Sequence, residues 1–217
     1  MHRLYHFPTS PFSARVRLAI ALKGVPVEIV DCRADELRLA EARALSPAAT
    51  IPVFVTGRGD VLGDSGSIVR WLDTACPEPR LYSSEPSELA RTLRACDLVD
   101  AALDPVVEVG TRAYVLHDAP GWRAYADSRV ARVRASLDAL VVETAALDRS
   151  TFGTAGLNAA DIWTFTMVRW FMNLPARVGL SPLAAQILTL GVEVPAALVQ
   201  FVASLDDKVS AAAGVLG

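Results

Sequence analysis

Ser10 is the residue whose type and position point most directly to chemistry. It stands just before Pro11, which suits the first turn of a helix because its missing N–H is not needed there. A serine hydroxyl at such a place ordinarily caps the helix by accepting a hydrogen bond from the backbone of the first turn. The alternative is that it faces an anion above the helix N-terminus, where free N–H groups and the helix dipole favour a thiolate. Ser13, almost one turn inside the same helix, is the second candidate hydroxyl.

Two further segments carry groups that could hold a ligand. Ile51-Pro52 opens a strand, and a cis bond there would leave the Ile51 backbone free to hydrogen-bond an extended, peptide-like ligand. Asp64-Ser65 opens a helix, and its side chains either cap that helix or bind the ammonium and carboxylate groups of a ligand. Each pattern is common by itself, so an ordinary strand start and an ordinary cap are the alternatives. The three patterns in this order are more specific than any one of them.

Short strand and helix patterns over residues 1–77 would position these groups. Strands are predicted at Arg3 to Phe7, Val27 to Val30, Ile51 to Val55 and, after a hairpin turn, from Val61. Helices are predicted at Pro11 to Lys23, Asp35 to Leu45 and Ser65 to Ala75. The order βαβαββα predicts an α/β domain with a mixed sheet.

The chain after this domain has the pattern of an all-helical bundle. Residues 78–86, with their prolines and serines, predict a linker to a second domain over residues 87–217. Apolar residues recur every three or four positions between Val130 and Val141, and further helices are predicted at Ala159 to Leu174 and Pro195 to Val209.

The composition argues against several functional classes. The 217 residues are 52% hydrophobic and 21% charged, which is enough apolar material to bury a large core. No apolar stretch is long enough to predict a membrane span, and the first ten residues have no apolar signal core, so a cytoplasmic location is predicted. The 21 basic residues are scattered and the net charge is −3, which argues against a nucleic-acid surface. The three histidines and three cysteines lack metal-ligand spacing, so we predict no metal and reduced thiols.

The motifs resemble those of the cytosolic glutathione S-transferase superfamily. The residues that carry the resemblance are Ser10-Pro11-Phe12, Ile51-Pro52 and Asp64-Ser65, followed in the second domain by Asn158 to Ile162, which is similar to the family's helix-capping box. The similarity is greatest to the serine-type classes, which are tau, zeta and related bacterial forms. It implies a thioredoxin-like first domain (βαβαββα), an all-helical second domain and a homodimer.

The resemblance also implies roles for residues at these motifs. The Ser10 hydroxyl would donate a hydrogen bond to the glutathione sulfur and, with the helix dipole, stabilise the thiolate by roughly 1.5–3 kcal/mol. That would lower the thiol pKa by about one to two. The glutathione site would contain Phe12, Thr50, Ile51, Pro52, Asp64 and Ser65. A pocket for a small hydrophobic electrophile would be lined by Val106, Val107, Arg112, Tyr114 and Trp163.

Transfer of glutathione to such an electrophile, as in detoxification, is the first function that the resemblance implies. Glutathione-dependent isomerisation or peroxide reduction would use the same sulfur site, and a non-catalytic protein-binding module on the same fold is a further alternative. The chain departs from the family pattern at Ala49-Thr50, where relatives often carry a basic residue. It also departs at Asp64, where glutamate is commoner. The first departure is the best support for the binding module.

Overall fold

The structure is a computed structural model that describes residues 1–46, 48, 50–148 and 156–213. The chain divides into two compact units. The first is Met1–Tyr82 together with two later segments, which include residues 156–158 and 206–213. The second is Ser83–Asp148 and Ala159–Leu205.

The first unit contains a four-stranded mixed sheet. Its strands are β1 (His2–His6), β2 (Val27–Asp31), β3 (Val53–Val55) and β4 (Val61–Leu62), in the spatial order β2-β1-β3-β4. β1 runs parallel to β2 and antiparallel to β3, and β3 runs antiparallel to β4. The predicted mixed sheet is confirmed, although β3 begins two residues later than the sequence suggested. Pro52 has no N–H to donate to the ladder, so regular pairing starts after it.

Three helices accompany this sheet: α1 (Pro11–Lys23), α2 (Glu36–Leu45) and α3 (Ser65–Ala75). α1 ends where it was predicted to end, because Gly24 adopts a left-handed φ of 60° and its N–H bonds back to the carbonyls of the last turn. Leu4 and Tyr5 point to opposite faces of β1 and both are buried, so both faces of the sheet are covered. The sheet is therefore the rigid support for the loops at its edges.

The second unit is helical, as predicted. Its helices are α4 (Pro86–Leu116), α5 (Trp122–Ala146), α6 (Ala159–Met172), α7 (Pro182–Leu188) and the first part of α8 (Ala196–Ala213), with a 3₁₀ turn at Pro175–Arg177. The buried residues of α5 recur at intervals of three and four, and this stripe packs against α4. Within the described ranges, no helix has the length and apolar character needed to cross a membrane.

Candidate functional site

Ser10 caps α1, and its hydroxyl proton remains available to donate. Its backbone is extended, with φ −78° and ψ 129°, and its Oγ accepts a hydrogen bond from the Ser13 N–H at 3.2 Å. Among the residues that the structure describes, this hydroxyl donates to no acceptor. A hydroxyl can accept and donate at once, so capping the helix does not prevent it from binding an anion. The half-buried side chain stands at the positive end of a 13-residue helix.

Ser13, the second candidate hydroxyl, lies inside the first unit. Its side chain is fully buried, and its Oγ accepts a hydrogen bond from the Phe7 N–H at 3.3 Å. This contact fastens the end of β1 to the first turn of α1. Phe12, between the two serines, is half-buried, and the Arg15 guanidinium carbon lies 5.1 Å from the centre of its ring.

Arg17, which the sequence analysis missed, binds the turn that carries Ser10. Arg17 Nη2 donates to the Pro8 carbonyl at 3.1 Å, and Nη1 lies 3.5 Å from the Phe7 carbonyl. The same Nη1 is 2.8 Å from Nδ1 of His6. The only sequence signal was a pair of arginines, Arg15 and Arg17, within an otherwise apolar helix.

The His6 ring accepts this hydrogen bond because it is neutral. Burial and the nearby Arg17 cation lower its pKa from the usual 6.5 to about 4, although the Asp31 carboxylate acts in the opposite direction. Since Nδ1 is the acceptor, the ring proton is assigned to Nε2.

We expect the stability of the protein to fall as the pH is lowered from about 6.5 towards 4. In that window the unfolded chain binds a proton at His6 that the folded state excludes, so one such proton decreases the free energy of unfolding by up to about 1.4 kcal/mol per pH unit. Urea unfolding at a series of pH values, for the native chain and for His6→Gln, measures this slope. The variant should be less pH-dependent in this window, and an identical slope in both chains would contradict the assignment.

The segment before β3 has the geometry expected of a strand-like ligand platform. The Ile51–Pro52 bond is cis, Pro52 is buried and Ile51 is half-buried. Ile51 precedes the first residue of β3, so its N–H and C=O lie outside the strand ladder. An extended peptide could pair with these groups as it would with a sheet edge. The family departure at Ala49 lies outside the described residues.

A hydrogen bond joins this platform to the start of α3. Thr50 Oγ1 donates to the Gly63 carbonyl at 3.0 Å. Asp64 caps α3 by accepting from the Ser67 N–H at 2.8 Å; it is exposed, whereas Ser65 is buried. Two of the three predicted ligand-binding segments are therefore coupled directly.

Gly63 leaves little room for a side chain where these segments meet. A Cβ at this position would lie 2.8 Å from Oγ of the buried Ser46, which is closer than real Cβ contacts. We expect Gly63→Ala to lower the free energy of unfolding by about 1–2 kcal/mol. Urea denaturation measures it, with Gly179→Ala as the control because a Cβ there meets nothing within 4 Å.

Removal of the obstructing oxygen tests the cause of this effect. In Gly63→Ala/Ser46→Ala the remaining contact, to the Ser46 Cβ at 3.7 Å, is ordinary van der Waals packing. Most of the lost stability should return. A double variant no more stable than the sum of its two single changes would mean that the Ser46 hydroxyl is not the obstacle.

Two residues of the predicted electrophile pocket are buried in the second unit. Val106 and Trp163 are 1% and 2% exposed. Trp163 also donates its indole N–H to Oδ2 of Asp100 at 3.1 Å. This is the environment of a core side chain with a satisfied polar group rather than of a pocket wall.

The other three predicted pocket residues lie along the second half of α4. Val107 is half-buried, Arg112 is exposed and pairs with Glu108 one turn earlier at 2.9 Å, and Tyr114 is 46% exposed. They can meet a ligand, and their part in binding an electrophile stays a prediction. The described residues contain no group of three or more His, Cys, Asp or Glu side chains that could hold a metal ion.

Most of the first unit matches a known protein family. Residues 4–80 match the family model for the N-terminal domain of glutathione S-transferases. Over 109 residues the chain is 33% identical to maleylacetoacetate isomerase of Pseudomonas aeruginosa. This alignment covers 48% of the chain, and the chain spans about half the length (51%) of this curated relative.

The similarity to solved structures extends over nearly the whole chain. The holo structure of a zeta-class bacterial maleylpyruvate isomerase has a TM-score of 0.65 at 22% identity, covering 94% of this chain and 97% of the other, which shows a shared fold. Maleylacetoacetate isomerase of Anaeromyxobacter dehalogenans, solved with glutathione in its active site, has a TM-score of 0.58 at 27% identity. That comparison covers 91% of this chain and 93% of the other.

Proposed function

We propose that this chain, whose residues 4–80 match the N-terminal domain of glutathione S-transferases, is a glutathione-dependent isomerase that converts a maleyl-type cis double bond into the trans form. The observation that carries this proposal is the Ser10 hydroxyl, which caps α1 and retains a proton to donate at the helix N-terminus. The names of the relatives favour isomerisation over transfer.

The residues of the first unit fit glutathione. Ser10 offers a donor to the sulfur, the Ile51 backbone offers peptide groups outside the strand ladder to the cysteinyl part, and the exposed Asp64 carboxylate offers a negative charge to the γ-glutamyl ammonium. Ser65 is the first residue of α3, so its N–H lies at the helix N-terminus, which favours anions. This N–H therefore suits the γ-glutamyl carboxylate. Each charge on this part of glutathione thus has a complementary group.

The role of Ser10 follows from the chemistry of isomerisation. Glutathione supplies, when bound, a thiolate that adds reversibly to the double bond, permits rotation about the resulting single bond and leaves again. Ser10 donates its O–H to the sulfur, and the α1 N-terminus adds a favourable dipole, so the ionised thiol is populated near neutral pH. Because the sulfur leaves again as a thiolate, the same hydrogen bond stabilises it as the leaving group.

Transfer of glutathione to a hydrophobic electrophile is the second candidate function. It needs the same thiolate but keeps the sulfur–carbon bond, so it differs in stoichiometry rather than in the sulfur site. The exposed Tyr114 and the half-buried Val107 on α4 are the described features compatible with such an electrophile. The homodimer expected from the resemblance stays a prediction.

Product analysis separates the two reactions. The purified chain is incubated with glutathione and maleylpyruvate or maleylacetoacetate, and in parallel with an activated aryl chloride. Isomerisation predicts that the trans product accumulates while total free glutathione stays constant. One glutathione consumed per product, with the aryl chloride only, would favour transfer. Neither product, together with no glutathione binding by calorimetry, would contradict both and favour the protein-binding module.

A further inference from the structure

We propose that Arg17 is a positioning residue that holds the Phe7–Ser10 turn in the orientation from which Ser10 donates its hydroxyl proton. The effect on chemistry rests on the proposed function, whereas the effect on the turn does not. Arg17 itself binds the backbone of the turn and acts through Ser10.

The guanidinium binds two successive carbonyls of this turn. Nη2 donates to the Pro8 carbonyl at 3.1 Å, and Nη1 lies 3.5 Å from the Phe7 carbonyl. The Phe7 carbonyl also accepts from the Ser10 N–H at 3.1 Å, which closes the turn. Arg17 and Ser10 are therefore joined through one carbonyl oxygen. The planar fork of an arginine suits two acceptors at a fixed separation, which a lysine ammonium does not match.

The guanidinium also contacts the sheet. Nη1 is 2.8 Å from His6 Nδ1, and His6 is the last residue of β1 and only 6% exposed. Asp31, the residue of β2 in register with His6, is half-buried and its carboxylate favours the charged form of Arg17. Burial acts in the opposite direction and lowers the pKa of Arg17. The cation is thus held between the sheet and the turn.

Other contacts hold the two ends of the turn. Ser13 Oγ accepts from the Phe7 N–H, and the Ser10 carbonyl accepts from the Ala14 N–H at 2.9 Å, so β1 and α1 stay attached to the turn without the arginine. The Pro8 carbonyl has Arg17 as its partner among the described residues. Loss of the guanidinium should therefore release the Pro8 carbonyl and weaken the bond between the Ser10 N–H and the Phe7 carbonyl, while the sheet and α1 remain folded.

The first test is local and does not need glutathione. Hydrogen exchange of the Ser10 amide, measured by NMR in the native chain and in Arg17→Gln, should accelerate at least about tenfold in the variant. Arg17→Lys keeps the charge but not the fork, so its rate should lie between the two. Arg123→Gln is the matched control, because that side chain is 88% exposed and pairs with Asp127 one turn away. Equal exchange at Ser10 in the native chain and Arg17→Gln would overturn the proposal.

The second test uses bound glutathione and reads the pH midpoint of thiolate absorbance. Arg17→Gln should raise this midpoint by about one pH unit, and Ser10→Ala/Arg17→Gln should match Ser10→Ala alone, because Arg17 acts through Ser10. Additive shifts, or an unchanged midpoint in Arg17→Gln, would overturn the positioning role. A native chain that binds no glutathione would instead contradict the proposed function, and the exchange measurement would then decide the proposal about Arg17.

Discussion

Ser10→Ala is expected to raise the pH midpoint of bound glutathione ionisation by about one to two units and to lower kcat at neutral pH by about ten- to hundredfold. The variant loses the Ser10 hydroxyl, which stands at the α1 N-terminus with a proton to donate. Without this hydrogen bond, the thiolate keeps only the helix dipole and backbone N–H groups as stabilising partners. Ultraviolet absorbance of the thiolate against pH, with steady-state kinetics alongside, measures both effects.

A second variant separates the thiolate effect from the loss of the helix cap. Removing an N-cap hydroxyl costs about 1 kcal/mol of stability, which could itself disturb the site. Ser10→Asp keeps an oxygen that can accept from the Ser13 N–H but has no proton to donate and places a negative charge beside the sulfur. Its stability should therefore be close to native while its thiolate midpoint rises at least as far as in Ser10→Ala. A midpoint that moves in Ser13→Ala but not in Ser10→Ala would transfer the role to Ser13.

Lys23→Met is expected to lower the free energy of unfolding by about 3–5 kcal/mol. The Lys23 side chain is fully buried, and its Nζ donates to Asp73 Oδ1 at 2.6 Å, to the Cys76 carbonyl at 2.8 Å and to the Pro79 carbonyl at 2.5 Å. Asp73 is 12% exposed and also accepts from the Leu81 N–H at 2.7 Å. The variant leaves a nearly buried carboxylate without its cation and two carbonyls without their donor. Urea denaturation at neutral pH measures the loss.

The control for this prediction is an arginine in an exposed pair. Arg123 is 88% exposed and pairs at 3.2 Å with the 61% exposed Asp127 on the same helix, so Arg123→Met should cost less than about 1 kcal/mol. Lys23→Met/Asp73→Asn should recover part of the loss, because no uncompensated charge then remains buried. A cost below 1 kcal/mol for Lys23→Met, or no recovery in the double variant, would show that this ion pair does not hold the end of α1 to the segment after α3.

Local signals in the sequence determined the order of the elements in the first unit and both bounds of α1 and α3. Pro11 and Gly24 mark the two ends of α1 through the missing N–H of one and the left-handed φ of the other, and both ends were predicted correctly. The mixed sheet of the βαβαββα domain and the helical second half were predicted from the periodicity of apolar residues. The candidate site was found the same way, since Ser10, Ile51-Pro52 and Asp64-Ser65 all lie where an element begins. These features depend on residues within a few positions of one another.

Tertiary structure alone decided which side chains meet across the fold. Thr50 and Gly63 are joined over 13 positions, and Lys23 reaches the Pro79 carbonyl over 56. Arg17 and Pro8 are closer together in the sequence, but their contact forms only when the β1–α1 turn folds back over the helix. Such contacts follow from strand register and helix packing, which short-range periodicity does not encode. For this reason the sequence indicated the hydroxyl at the helix N-terminus, but only the folded chain revealed the arginine that holds its turn in place.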